Sequence, residues 1–177
     1  MKQSRRSLRL KGYDYSQAGA YFVTICTHNR ECLFGGVLDG HMRLNDAGRS
    51  IQAAWETLPH FYPHAVLDAV VVMPNHVHGI IILVGAGFKP APTGICYGLP
   101  ELIRAVKTFS SRRINELRGT PGATVWQRNY FERVIRNDNE MHRIREYIFN
   151  NPAQWELDRE NPNNPYAGKY EPEIADW

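Results

Sequence analysis

The strongest constraint in this sequence is a pair of apolar, β-rich runs, Ala65–Met73 (AVLDAVVVM) and His76–Val84 (HVHGIIILV), separated only by Pro74-Asn75. Two residues cannot carry the helical crossover that parallel strands require, so the runs must pair antiparallel about a tight turn. An antiparallel hairpin therefore sits near the middle of the chain, and the remaining elements have to be fitted around it.

The flanking segments supply further strands and helices. Ala20–Thr27 (AYFVTICT) alternates and is rich in aromatic and β-branched residues, so it reads as a first strand. Gly36–Leu44 (GVLDGHMRL) reads as a hairpin about Asp39-Gly40. Asn45 or Asp46 can cap a helix with Ile51, Ala54, Trp55 and Leu58 at helical spacing, which should stop before Pro59. Gly85–Gly98 (GAGFKPAPTGICYG) has no apolar period and reads as a loop, unlike any nucleotide-binding glycine motif. A second helix is expected from Pro100 to about Leu117, with Leu102, Ile103, Val106, Phe109, Ile114 and Leu117 roughly on one side. Val125–Ile135 reads as a strand, and Asn137 or Asp138 to Asn150 as a third helix. The proline-punctuated remainder reads as an extended tail. Helices alternate with hairpins rather than with repeated parallel crossovers, which predicts an α+β sandwich with helices packed on an antiparallel sheet.

At 177 residues, 43% hydrophobic and 22% charged, the chain suits one globular domain; disorder, collagen and coiled coil are set aside. Cys26, Cys32 and Cys96 form no CxxC pair, which fits a reduced, cytoplasmic setting. No apolar run has the length of an export signal or membrane span, so no membrane partner is expected. Residues 1–149 carry 19 basic and 12 acidic side chains, whereas residues 150–177 carry 2 and 6. A basic body with an acidic tail points to a polyanion partner, although a solvated basic surface has the same composition.

The candidate chemistry lies in Met73–Gly79 (MPNHVHG) and in the third helix. Residues two apart on a strand share a face, so His76 and His78 present two imidazoles side by side, as two ligands of one cation or as two hydrogen-bonded structural histidines. Tyr147 and Asn151, four apart, share one helix face; packing and a helix C-cap are the alternatives for them. Taken together, His76, His78 and the Asn151 amide oxygen could supply three ligands of a divalent ion, with Tyr147 a nucleophile beside it. For a polyanion, Lys107, Arg112, Arg113 and Arg128 offer a phosphate track, and Trp126, Tyr130 and Phe131 offer ring faces, although Trp126 and Phe131 equally suit a core. The N-terminal basic cluster, which includes Arg5 and Arg6, reads as a DNA-contacting arm or as a solvated terminus.

These residues carry a resemblance. The segments YFVTICTHNRECLFG, MPNHVHGII, GLPELIRAVKTFSSRRINELRG, WQRNYFERVIRND and REYIFNNPAQW, which together span nearly the whole chain, resemble in order the HUH single-tyrosine transposases, and within them the REP-associated tyrosine transposases of bacteria. The resemblance implies a ferredoxin-like α+β sandwich around a central antiparallel sheet, over residues 1–151, with residues 152–177 an acidic, proline-rich C-terminal tail. It implies cleavage of single-stranded DNA at hairpin-associated sites, with Tyr147 joined to the 5′-phosphate and a 3′-OH released. His76 and His78 match the HUH pair, Tyr147 the nucleophile, and Asn151 the third ligand of a divalent metal, Mg²⁺ or Mn²⁺. Many relatives have Gln where Asn151 stands, and His where Arg133 stands. The partner implied is single-stranded DNA with palindromic hairpin structure, bound by a monomer in preference to a homodimer. Two other readings are a host-retained endonuclease that processes palindromic repeats without moving itself, and a catalytically silent single-strand-binding module.

Overall fold

The computed structural model describes residues 12–85 and 97–164. Four strands form one antiparallel sheet: β1 (Gly19–Cys26), β4 (Ala65–Val72), β5 (His76–Leu83) and β6 (Phe131–Ile135), in the order β4-β5-β1-β6. A separate hairpin, β2 (Gly35–Leu38) and β3 (His41–Leu44), turns at Asp39-Gly40. Both turn residues have positive φ, as a two-residue hairpin loop requires. The helices are α1 (Asp46–Glu56), α2 (Leu58–Phe61), α3 (Leu99–Arg118) and α4 (Asp138–Asn150). This is the expected α+β sandwich of helices on an antiparallel sheet.

Strand alternation divides the core in two. Tyr21, Val23, Ile25, Val77 and Ile81 face α1 and α3, where Ile51, Trp55, Leu102, Ile103, Val106 and Ile114 complete one apolar cluster. Burying each such side chain is worth roughly 1.5–3 kcal/mol. The alternate residues face α4: Phe22, Ile80 and Ile135 meet Ile144 and Ile148 in a smaller cluster. By register, Cys26 lies opposite His76, Thr24 opposite His78 and Phe22 opposite Ile80, so the two histidines lie on the α4 face. They sit on an inner strand, flanked by β4 and β1.

Several local expectations change. Pro59 does not end the helical region; it occupies the first turn of α2, where its missing N–H costs no hydrogen bond. The last strand begins at Phe131 rather than Val125. Residues 125 and 126 are buried instead as an irregular segment, with Trp126 bridged to Thr27 and its indole N–H donating to Ser110 Oγ. Phe109 and Leu117 lie outside the apolar stripe of α3, at 55% and 43% exposed, because the stripe drifts around a 20-residue helix. Residues 152–164 do not run on as an extended tail: Pro152–Leu157 forms a 3-10 helix, and Glu160, Asn161 and Asn164 are buried. Arg5, Arg6, Cys96 and most of the expected 85–98 loop lie outside the described residues.

Candidate active site

Helix α4 carries Tyr147 to the histidines because three features fix its course. Asn137 caps its first turn, its side chain accepting from the Glu140 N–H. The buried Glu140 carboxylate in turn accepts from the Arg136 N–H and from Arg133 on β6, so Arg133 serves as an anchor for the helix. Arg145 grips Asp68 through two parallel N–H···O bonds of 2.8 and 2.7 Å, at an irregularity in the pairing of β4. Ile144 and Ile148 bury the inward face of the helix, and Tyr147 stands beside them over His78.

The Tyr147 hydroxyl lies 3.2 Å from His78 Nε2, with ring centroids 5.1 Å apart. The His76 imidazole is held in one tautomer. The Asn75 amide nitrogen donates to two backbone carbonyls, which leaves its Oδ1 to accept from His76 Nδ1–H at 2.9 Å. His78 Nδ1 lies 2.8 Å from Thr24 Oγ1, while its Nε2 is the atom facing the phenol. The His76 Nε2 lone pair and the His78 Nε2 atom therefore face a common space, an arrangement that suits two ligands of one cation. His78 Nε2 can serve the phenol or a cation, but not both.

A fourth group completes this space. Asp158, which follows the 3-10 helix, places Oδ2 3.8 Å from His76 Nε2, and the donor atoms of His76, His78 and Asp158 lie within 4.8 Å of one another. The Asn151 amide, at the C-terminus of α4, is next to His76, Tyr147 and Asp158. His76 Nε2 and Asn151 Oδ1 are buried without hydrogen-bond partners. Two orphaned acceptors beside a carboxylate form an electron-rich pocket that wants a cation, and imidazole, amide and carboxylate donors suit a divalent one.

The electrostatics agree. Burial pulls His76 down to about 4, and burial together with the neighbouring His76 holds His78 well below its ordinary value, so both rings are neutral at neutral pH. Burial pushes Asp158 up, although Arg159 and hydrogen bonds oppose the shift. Burial, helped by Asp158, raises the Tyr147 phenol well above its usual range, while the Asn151 amide pulls the other way.

The structure thus brings together four of the ten site residues read from the sequence: His76, His78, Tyr147 and Asn151. Asp158 was missed; its signal was confined to a lone acid in a segment that reads as a tail. The basic residues lie elsewhere. Arg112 and Arg113 are exposed on α3, across the sheet from the histidines, and each pairs with Glu116. Arg128 is exposed in the segment before β6. The Lys107 ammonium donates to the carbonyls of Gln127 and Asn129 at 2.9 and 3.0 Å, so it shapes the loop carrying Arg128 instead of reaching out to solvent.

No protein-family model matches the chain. It is 41% identical over 171 residues to an uncharacterised protein of Haemophilus influenzae, covering 88% of this chain and 92% of that protein. It is 23% identical over 142 residues to another Haemophilus influenzae protein, assigned as a candidate REP-associated tyrosine transposase, covering 80% of this chain and 74% of that one. Its fold superposes on that of a REP-associated tyrosine transposase bound to a REP hairpin, with a TM-score of 0.57 and 21% identity over 81% of this chain and 72% of the other. The resemblance, in sequence at low identity and in fold, is to the REP-associated tyrosine transposases. The donor atoms of His76, His78 and Asp158 are close enough together to hold a divalent metal. Among the described residues, no helix is long and apolar enough to cross a membrane.

Proposed function

We propose that this protein cuts and rejoins single-stranded DNA beside palindromic hairpins, with Tyr147 as nucleophile and a divalent metal, Mg²⁺ or Mn²⁺, held by His76, His78 and Asn151 with Asp158 in reach. The observation that carries this reading is a phenol oxygen 3.2 Å from one of two neutral, buried imidazoles whose donor atoms, with Asp158, are close enough together to hold one cation. The metal would polarise a non-bridging phosphate oxygen of the scissile bond.

The chain's own residues supply the rest. Tyr147 Oη forms a bond to phosphorus as the 3′-oxygen leaves, so the energy of the broken phosphodiester is kept in the phosphotyrosine and a second 3′-OH can reverse the step. The Asn151 amide beside the hydroxyl favours the phenolate, against a burial that disfavours it. The Arg145–Asp68 and Arg133–Glu140 pairs hold α4 in place, so that attack starts from a fixed orientation. One chain contributes every member of the site, which suits a monomer. Arg112, Arg113 and Arg128, with Arg5 and Arg6, would contact DNA phosphates away from the cut, Lys107 acting through the loop that it holds. The catalytic unit would be residues 1–151, with the segment 152–177 supplying Asp158 to it.

The test is covalent capture. With a hairpin-flanked single strand and Mn²⁺, the wild type should give a protein–DNA adduct that carries the 5′-phosphate. Retention of DNA binding with no adduct under any divalent metal would favour a silent binding module. Adduct formation without strand joining would favour the host-retained endonuclease.

A further inference from the structure

Asn75, in the turn between β4 and β5, makes three polar contacts, yet no step of the proposed chemistry uses it. It is fully buried. Its Oδ1 accepts from His76 Nδ1–H, and its Nδ2 donates to Arg30 O at 3.1 Å and to Glu160 O at 2.6 Å. The first contact fixes the lone pair of a metal-facing imidazole. The other two tie the β4–β5 turn to the segment that carries Asp158. The same segment is held from its far side by Arg30, whose guanidinium pairs with the Glu160 carboxylate at 3.0 Å and donates to Arg159 O at 3.2 Å. Asn29 and Arg30 both adopt left-handed backbone, at φ 54° and 57°, which L side chains rarely do, so the carbonyl and guanidinium of Arg30 reach this junction from a strained turn.

We propose that Asn75 is the positioning residue that joins the two halves of the metal site: one amide sets the His76 tautomer and docks residues 158–160, so that loading the metal and docking Asp158 form a single equilibrium. This rests on the metal reading above. An amide is the side chain that can do both, because it offers one acceptor and two donors in one plane. A carboxylate keeps the acceptor but turns lone pairs toward the Arg30 and Glu160 carbonyls. Asn75→Asp therefore separates the functions.

The experiment combines hydrogen–deuterium exchange of residues 155–164 with calorimetric Mn²⁺ binding, using the full chain. In the wild type, saturating Mn²⁺ should slow exchange of this segment; an unchanged rate overturns the coupling. In Asn75→Asp without metal, the segment should exchange about ten-fold faster while β1 and β5 keep their wild-type protection. Mn²⁺ affinity should fall about ten-fold in Asn75→Asp and in Asp158→Asn, as for other supporting contacts to metal ligands, and should fall no further in the double variant. Additive losses, or faster exchange spread evenly over the sheet, would reduce Asn75 to an ordinary fold residue. Thr24→Val, which touches only His78, should weaken Mn²⁺ without releasing 155–164; release would overturn the assignment to Asn75. A wild type that binds no Mn²⁺ removes the metal reading, whereas the metal-free exchange comparison still decides whether Asn75 docks the segment.

Discussion

Toward α1 and α3, strands β1 and β5 present Tyr21, Val23, Ile25, Val77 and Ile81, and Trp55 packs against the bare backbone of Gly79. Toward α4, the intervening residues of the same two strands are Phe22, Thr24, Cys26, His76, His78 and Ile80. The first face is mostly hydrocarbon, although the Trp55 indole N–H is buried there without a hydrogen-bond partner; the second is half hydrocarbon and half buried polar groups, some of them also without partners. Buried apolar area supplies stability, while uncompensated polar atoms cost it unless a ligand arrives. The pleat thus lets one pair of strands pay on one face for a polar site on the other.

This division can be tested from its largest expected effect downward. Tyr147→Phe should abolish covalent DNA adducts while leaving the fold and Mn²⁺ binding intact, read on denaturing gels and by calorimetry; an adduct in that variant would place the nucleophile elsewhere. On the opposite face, Trp55→Ala should cost ~3–5 kcal/mol in denaturant unfolding, since a fully buried indole leaves a cavity. A methyl at Gly79 would come within 2.4 Å of the Trp55 ring, so Gly79→Ala should destabilise by about 1–3 kcal/mol and also disturb the adjoining His78, shown by weaker Mn²⁺ binding.

The polar face should be the one that responds to acid. His76 titrates near 4 when folded and near 6.5 when unfolded, so the unfolded chain binds the extra proton in that window. Stability should therefore be fully present above about pH 6.5 and fall by up to about 3 kcal/mol as the pH drops to 4. His76→Gln should flatten that slope in melting curves recorded across the range. The smallest effect belongs to Phe149, which is 85% exposed on the outer side of α4: Phe149→Ser should change stability by less than ~0.5 kcal/mol.

Much of this was legible in one dimension. The two-residue gap between the β-rich runs forces the β4–β5 pair, and alternation places His76 and His78 on one face of it, whatever surrounds them. Asn45 and Asn137 mark the starts of α1 and α4 because their side chains cap those helices. Other features were not legible, because they depend on residues far apart in the chain. Phe109 follows the helical period, yet it lies outside the buried stripe, 55% exposed and stacked on the exposed Phe61. Val125 and Trp126 look like strand residues, but they are buried by packing rather than by a ladder.

The sequence by itself determined which side chains could act and, through strand and helix periods, which of them share a face. Only the tertiary structure decided that the Tyr147 face of α4 lies on the histidine face of the sheet, that Asp158 folds back to join them, and that Arg112 and Arg113 stand on the far side. The physical reason is range. Periodicity is set by backbone geometry within a few residues, whereas the meeting of positions 24, 75, 78, 147 and 158 depends on how two apolar faces find their covers.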